Sequence, residues 1–118
     1  MKKVLIAEDN NSNYILMTYI LKKYYQFERA KNGQEAVEMV EKNDYDIVLM
    51  DIKMPIMDGL EATKAIKEKH PDLPIIALTA NAFDSDRTLA EEAGCNAFLA
   101  KPVSSDACLK VIKEFLGE

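Results

Sequence analysis

Short apolar runs that stop at polar or charged residues alternate along the chain with longer segments whose apolar positions recur every three or four residues. The runs are Val4-Leu5-Ile6-Ala7, Phe27 to Ala30, Ile47-Val48-Leu49-Met50, Ile75-Ile76-Ala77-Leu78 and Ala97-Phe98-Leu99-Ala100. Unbroken and rich in branched side chains, they read as strands covered on both faces of a parallel sheet. The run Phe27 to Ala30 is only partly apolar and suits a sheet edge. The third run, inside Asp46 to Pro55, is the centre of the pattern: it is bounded by Asp46 and Asp51 and followed by a turn at Pro55.

The intervening segments read as helices. Asn10 to Asn13 supply N-cap side chains for a helix from about Asn11 to Tyr24, with Tyr14, Met17 and Leu21 adjoining Ile15 and Ile20. Asn32 with Glu35, and Asp58 with Glu61, have capping-box spacing. The first opens a helix ending near Lys42 with Ala36, Val37 and Val40 inward; the second opens one ending before Pro71 with Leu60, Ala62, Ala65 and Ile66 inward. Asp84 to Ala93 is a helix capped at Asp84 or Ser85 and stopped by Gly94; with only Leu89, Ala90 and Ala93 inward, it is expected to be the least firmly packed. Ser104 or Ser105 caps a last helix with a broad face of Cys108, Leu109, Val111, Ile112, Phe115 and Leu116.

Strand and helix thus alternate through the whole chain, which implies a parallel sheet, right-handed crossovers and helices on both faces. Five repeats are too few for an eight-fold barrel, so the expected fold is an open, doubly wound, three-layer α/β sheet. Strand order is not readable from the pattern. At 118 residues the chain is expected to form one domain, residues 1–118.

Composition removes several functions. No stretch is apolar enough to span a bilayer, and no signal-peptide pattern precedes Val4, so a cytoplasmic location is expected. A net charge of −5 without a Lys/Arg cluster argues against direct nucleic-acid binding. Cys95 and Cys108 lack CxxC spacing and read as buried thiols; His70, the only histidine, excludes paired-His zinc sites and reads as a surface residue.

In an open α/β sheet, ligands bind beyond the carboxyl ends of the strands. Those ends carry Glu8 and Asp9, Asp51, Thr79, and Lys101. Converging carboxylates need either raised pKa values or a bound cation, and oxygen-only ligands select a hard ion such as Mg²⁺. A carboxylate beside Mg²⁺, an ammonium and a hydroxyl suits an incoming phosphoryl group: metal and Lys101 offset its charge, Thr79 donates a hydrogen bond, and Asp51 attacks phosphorus in line. Any one of these residues alone is better read as a solvated strand end; the set at four strand ends is not.

The segments Ala7-Glu8-Asp9-Asn10, Met50-Asp51-Ile52-Lys53-Met54-Pro55-Ile56-Met57-Asp58-Gly59, Leu78-Thr79-Ala80-Asn81-Ala82 and Lys101-Pro102 resemble the receiver domain of two-component response regulators, most of all receivers of hybrid sensor kinases. The resemblance implies a flavodoxin-like sheet of order 2-1-3-4-5. It implies that Asp51 accepts a phosphoryl group from a phosphohistidine on a histidine kinase or histidine phosphotransfer protein. Asp9, Asp51 and the Lys53 carbonyl would bind Mg²⁺, with Glu8 acting through water. Lys101, Thr79 and the Ala80 N–H would take phosphoryl oxygens, and the Lys101-Pro102 bond would be cis. Thr79 and Phe98 would form the switch, read out on the face of the fourth helix, fifth strand and fifth helix. Lys53 and Asn81 would tune phosphate lifetime, Lys53 by shielding the phosphoryl group or by pairing with Glu8. Such a domain catalyses only its own phosphorylation and dephosphorylation. Competing readings are a receiver-like protein-binding module without phosphotransfer, a flavin protein, which Glu8 and Asp9 disfavour, and a phosphatase with an Asp nucleophile, which needs a second Asp where Lys53 stands.

Overall fold

Five parallel strands, β1 (Lys3–Ala7), β2 (Gln26–Ala30), β3 (Ile47–Asp51), β4 (Ile75–Thr79) and β5 (Ala97–Ala100), lie in the order β2-β1-β3-β4-β5 in a computed structural model that describes residues 1–80 and 84–118. They alternate with α1 (Asn11–Leu21), α2 (Gly33–Lys42), α3 (Gly59–Lys69), α4 (Asp84–Ala93) and α5 (Ser105–Leu116). The expected architecture and strand order are both present.

Side-chain parity along the central strands assigns the layers. Val4 and Ile6, Ile47 and Leu49, and Ile76 and Leu78 share one core with Met17, Ile20 and Leu21 of α1 and Cys108 and Ile112 of α5. The alternate positions, Leu5 and Ala7, Val48 and Met50, and Ile75, pack with Ala36 and Val40 of α2 and Ala62 and Ile66 of α3. Ala77 belongs to a smaller cluster with Ile52 and Ala90 of α4. Burial on both faces is why β1, β3 and β4 read as continuous apolar runs without alternation.

The helix starts follow their caps. Asn32 Oδ1 accepts the Glu35 N–H at 2.8 Å, Asp58 Oδ1 the Glu61 N–H at 2.8 Å, and Ser104 Oγ the Ala107 N–H at 3.1 Å. The side chains of Asp84 and Ser85, either of which was expected to cap α4, lie outside what the structure describes. In the first of these boxes Glu35 reaches one residue further back than expected and accepts the Lys31 N–H at 2.9 Å.

Three expectations are corrected. Helix α1 stops at Leu21 rather than Tyr24, because the Tyr24 and Tyr25 N–H groups both turn back to the Leu21 carbonyl and bring Tyr25 into the core. Ile15 and Leu89 face solvent, at 52% and 47% exposure, since Met17 and Ile20 fill the inner face of α1 and the small Ala90 and Ala93 set α4 close to the sheet. Phe115, placed on the broad face of α5, is 38% exposed; Cys108 and Ile112 carry that contact. Cys95 and Cys108 are free thiols, the second fully buried, and His70 is the half-buried C-cap of α3.

Candidate functional site

The register of the sheet brings the polar strand ends together. Ala7 lies beside Met50, which sets Glu8 next to Asp51, and Thr79 lies beside Ala100, which sets Lys101 one step further along. Glu8 continues the parity of Val4 and Ile6, Asp51 that of Ile47 and Leu49, and Lys101 that of Leu99, so all three project on the side of α1 and α5. Thr79 continues the parity of Ile75 and Ala77 and faces α4 instead.

The first three residues meet closely. Lys101 Nζ stands 2.8 Å from Glu8 Oε1 and 3.2 Å from Asp51 Oδ2. Glu8 is fully buried and Asp51 nearly so, while Asp9 is exposed at the rim. Burial pushes the Asp51 carboxyl up to about 6, helped by its hydrogen bond to Glu8 and the Glu8 charge, against the opposing Lys101 charge and Lys53 N–H. For Lys101, burial works against the charged form, but the close approach of Glu8 and the charges of Asp51 and Glu8 outweigh it and the pKa is raised.

One carboxylate oxygen from each of Glu8, Asp9 and Asp51 lies within 4.8 Å of the others. Glu8 Oε1 is buried without a well-aligned hydrogen-bond donor, although the Lys101 ammonium is its ion-pair neighbour. Such an under-satisfied, oxygen-only set fits a small hard cation. Among the described residues this is the group of three or more such side chains with metal-binding spacing.

The surroundings hold this geometry in place. Arg29 donates from Nε to the Glu8 carbonyl at 3.0 Å and from Nη2 to the Asp9 carbonyl at 3.2 Å, while its guanidinium lies 4.5 Å over the Tyr14 ring. The Lys53 N–H donates to Asp51 Oδ1 at 3.2 Å. After Pro55 the chain reverses in a γ-turn, with the Met57 N–H on the Pro55 carbonyl at 2.8 Å and Ile56 at φ +71°. Helix α3 then begins at Gly59, where a Cβ would fall on the Asp51 carbonyl oxygen.

The remaining expected residues lie around this centre. The Lys101-Pro102 peptide bond is cis. Thr79, buried, donates from Oγ1 to Asp86 Oδ2 at 3.2 Å. Phe98 is half-buried with the Arg87 guanidinium 4.6 Å from its ring centre. Ala80 is exposed; Lys53 is exposed too, and the ammonium at Glu8 belongs to Lys101 rather than to Lys53. Asn81 lies outside the described residues. Arg29, Asp86 and Gly59 went unsingled in the sequence. The first two carry no local signal, since each acts on a segment distant in the chain or across a helix start. Gly59 follows a capping Asp, a position where glycine's close approach could have been suspected.

The family model of the response regulator receiver domain matches residues 4–113. The chain belongs to that family. Among similar curated proteins, hybrid signal transduction histidine kinase B of Dictyostelium discoideum is 42% identical over 132 residues, covering 99% of this chain and 7% of that protein. The polar-differentiation response regulator DivK of Brucella anthropi is 36% identical, covering 99% of this chain and 98% of that protein. Among solved structures, the receiver domain of sensor histidine kinase PA1611 from Pseudomonas aeruginosa, with a magnesium ion coordinated in its active-site cleft, is 34% identical with a TM-score of 0.93, covering 99% of this chain and 98% of that one. A receiver domain of Ssk1 crystallised with the histidine phosphotransfer protein Ypd1 of Saccharomyces cerevisiae is also similar: 34% identity, TM-score 0.91, 97% of this chain and 88% of that one. Receiver domains bind Mg²⁺ at an acidic pocket, and the Glu8, Asp9 and Asp51 cluster of this receiver is consistent with a Mg²⁺-dependent phosphoacceptor site. No helix of the described residues is long and apolar enough to cross a membrane.

Proposed function

We propose that residues 1–118 form a single receiver domain in a cytoplasmic phosphorelay, with Asp51 taking a phosphoryl group from the phosphohistidine of a histidine kinase or histidine phosphotransfer protein. The observation that carries this reading is the placement of Asp51: a nearly buried carboxylate 3.2 Å from the Lys101 ammonium and within 4.8 Å of two further carboxylates. An Asp51 oxygen attacks phosphorus in line, the P–N bond breaks, and the imidazole nitrogen keeps the electron pair and takes up a proton.

Asp9, Asp51 and the Lys53 carbonyl would hold Mg²⁺, with Glu8 acting through water. When bound, the ion supplies positive charge to the phosphoryl oxygens. Lys101, Thr79 and the Ala80 N–H take those oxygens. Side chains of Lys53 and Asn81 tune how long the phosphoryl group lasts. Movement of Thr79 and Phe98 passes the signal to a protein target at the face of α4, β5 and α5, whose thin packing at α4 suits a mobile surface. The domain catalyses only its own phosphorylation and dephosphorylation.

The test is incubation with acetyl phosphate and Mg²⁺, reading the aspartyl phosphate by intact mass, with Asp51→Asn in parallel. Modified wild type and unmodified variant are expected. Unmodified wild type, or label persisting in the variant, defeats the reading in favour of a receiver-like binding module.

A further inference from the structure

Consecutive residues of α4 touch both side chains given signalling roles above. Asp86 Oδ2 accepts the Thr79 hydroxyl proton at 3.2 Å. Arg87 lies over the Phe98 ring at 4.6 Å and is itself steadied by Glu91, one turn on, at 3.7 Å. The arrangement follows from the sheet: Thr79 and Phe98 sit on the parity that faces α4, and Ala77 and Phe98 are neighbours across β4 and β5.

A hydroxyl carries one proton to donate. Thr79 can therefore donate to the Asp86 carboxylate or to a phosphoryl oxygen on Asp51, but not to both. We propose that Asp86 is a positioning residue that holds the Thr79 hydroxyl on the α4 side, so that its hydrogen bond opposes the phosphorylated arrangement and must break as that arrangement forms. The inference rests on Asp51 being the phosphoryl acceptor and adds the element against which the switch moves.

Two consequences follow. The bond biases the unphosphorylated state, because a ligand that draws Thr79 away has to compete with it. Its loss also unties the first turn of α4 from the end of β4. That helix is anchored mainly by Ala90 and Ala93, so the tie matters more there than on a helix with large buried side chains. Release of Asp86 thus connects the site to the α4 surface, and Arg87, next in the chain, carries the same displacement to Phe98.

The experiment titrates beryllofluoride, a phosphoryl mimic, in the presence of Mg²⁺ and follows backbone amide resonances of the full chain. Wild type, Asp86→Ala, Asp86→Asn, Thr79→Val and Asp86→Ala with Thr79→Val are compared, each first checked for folding by circular dichroism. Asp86→Ala is expected to bind about five- to ten-fold more tightly than wild type, within the range for losing one ordinary intramolecular hydrogen bond. Asp86→Asn, whose amide oxygen still accepts from Thr79 without the charge, should fall between. In the Thr79→Val background the effect of Asp86→Ala should vanish. Unchanged binding by Asp86→Ala and Asp86→Asn overturns the proposal. So does a gain that is equal in both variants and persists with Thr79→Val, which marks simple removal of a negative charge. Wild type that takes no phosphoryl group from acetyl phosphate overturns the acceptor reading and this inference together, whereas modified wild type with unaffected variants overturns this inference alone.

Discussion

Glu8, with no exposed surface at the end of β1, meets the ammonium of Lys101 at 2.8 Å across more than ninety residues of chain. The pair is closer than that between Lys101 and Asp51, at 3.2 Å, so the lysine serves Glu8 first. Truncating one member of a buried pair leaves the other charge uncompensated. Lys101→Met is expected to lower unfolding free energy by ~2–4 kcal/mol at pH 7, as read by urea denaturation. Adding Glu8→Gln should recover much of the loss, because it removes the orphaned charge. No recovery in the double variant would show that the lysine acts through packing instead.

The raised pKa of Asp51 has a definite sign for stability. Its folded value, about 6, lies above the ordinary 3.8, so between these values the folded state binds more protons than the unfolded one. Stability therefore falls as pH rises through this window, and the cost is fully present above about pH 6. Asp51→Asn removes the charge that burial and Glu8 disfavour. Without divalent ions the variant should be more stable than wild type by ~1–3 kcal/mol at pH 7.5. The difference should disappear below pH 3.8, where both side chains are neutral. Chemical denaturation at the two pH values decides it; a constant gain would mean that desolvation of the carboxylate is not its cause.

Binding of Mg²⁺ to the native site should stabilise the receiver by ~1.4 kcal/mol at ten times the dissociation constant. Asp9→Asn is expected to abolish most of the shift, read as the change in Tm against Mg²⁺ concentration. Arg29→Ala should weaken the affinity about ten-fold without touching a metal ligand, because Arg29 fixes the carbonyls of Glu8 and Asp9 and thereby the direction of both carboxylates. Equal Mg²⁺ titrations for wild type and Arg29→Ala would show that the loop keeps its form unaided.

The turn after β3 combines two positions of opposite character. A Cβ at Gly59 would collide with the backbone of Asp51, so Gly59→Ala is expected to cost ~2 kcal/mol or more and to disturb the acceptor's own peptide. Ile56, at φ +71° and 83% exposed, sits in the left-handed region that a β-branched residue adopts only at a cost. Ile56→Gly should raise the Tm, the relief of strain exceeding the added entropy of the unfolded chain, by ~0.5–1 kcal/mol. A lowered Tm would place the side chain's contacts above its backbone strain.

The apolar runs and capping residues by themselves determined the strand–helix order, the buried central strands and the polar ends at which Glu8, Asp9, Asp51, Thr79 and Lys101 appear. Those signals are local: a strand covered on both faces must be apolar throughout, and an Asn or Asp before a helix satisfies N–H groups within its own first turn. Strand order came from the family resemblance rather than from any residue pattern, since each strand would be equally content beside another apolar neighbour. Only the tertiary structure decided that Lys101 pairs with Glu8, that Arg29 clamps the loop of Glu8 and Asp9, and that the Thr79 hydroxyl meets Asp86. It also decided that Ile15 and Leu89 face water, because which flank of an amphipathic helix is covered depends on the size of the residues packed beneath it. Parity along a strand tells to which side a residue points, but what it meets there is supplied by a different part of the chain and set by how the layers close on one another.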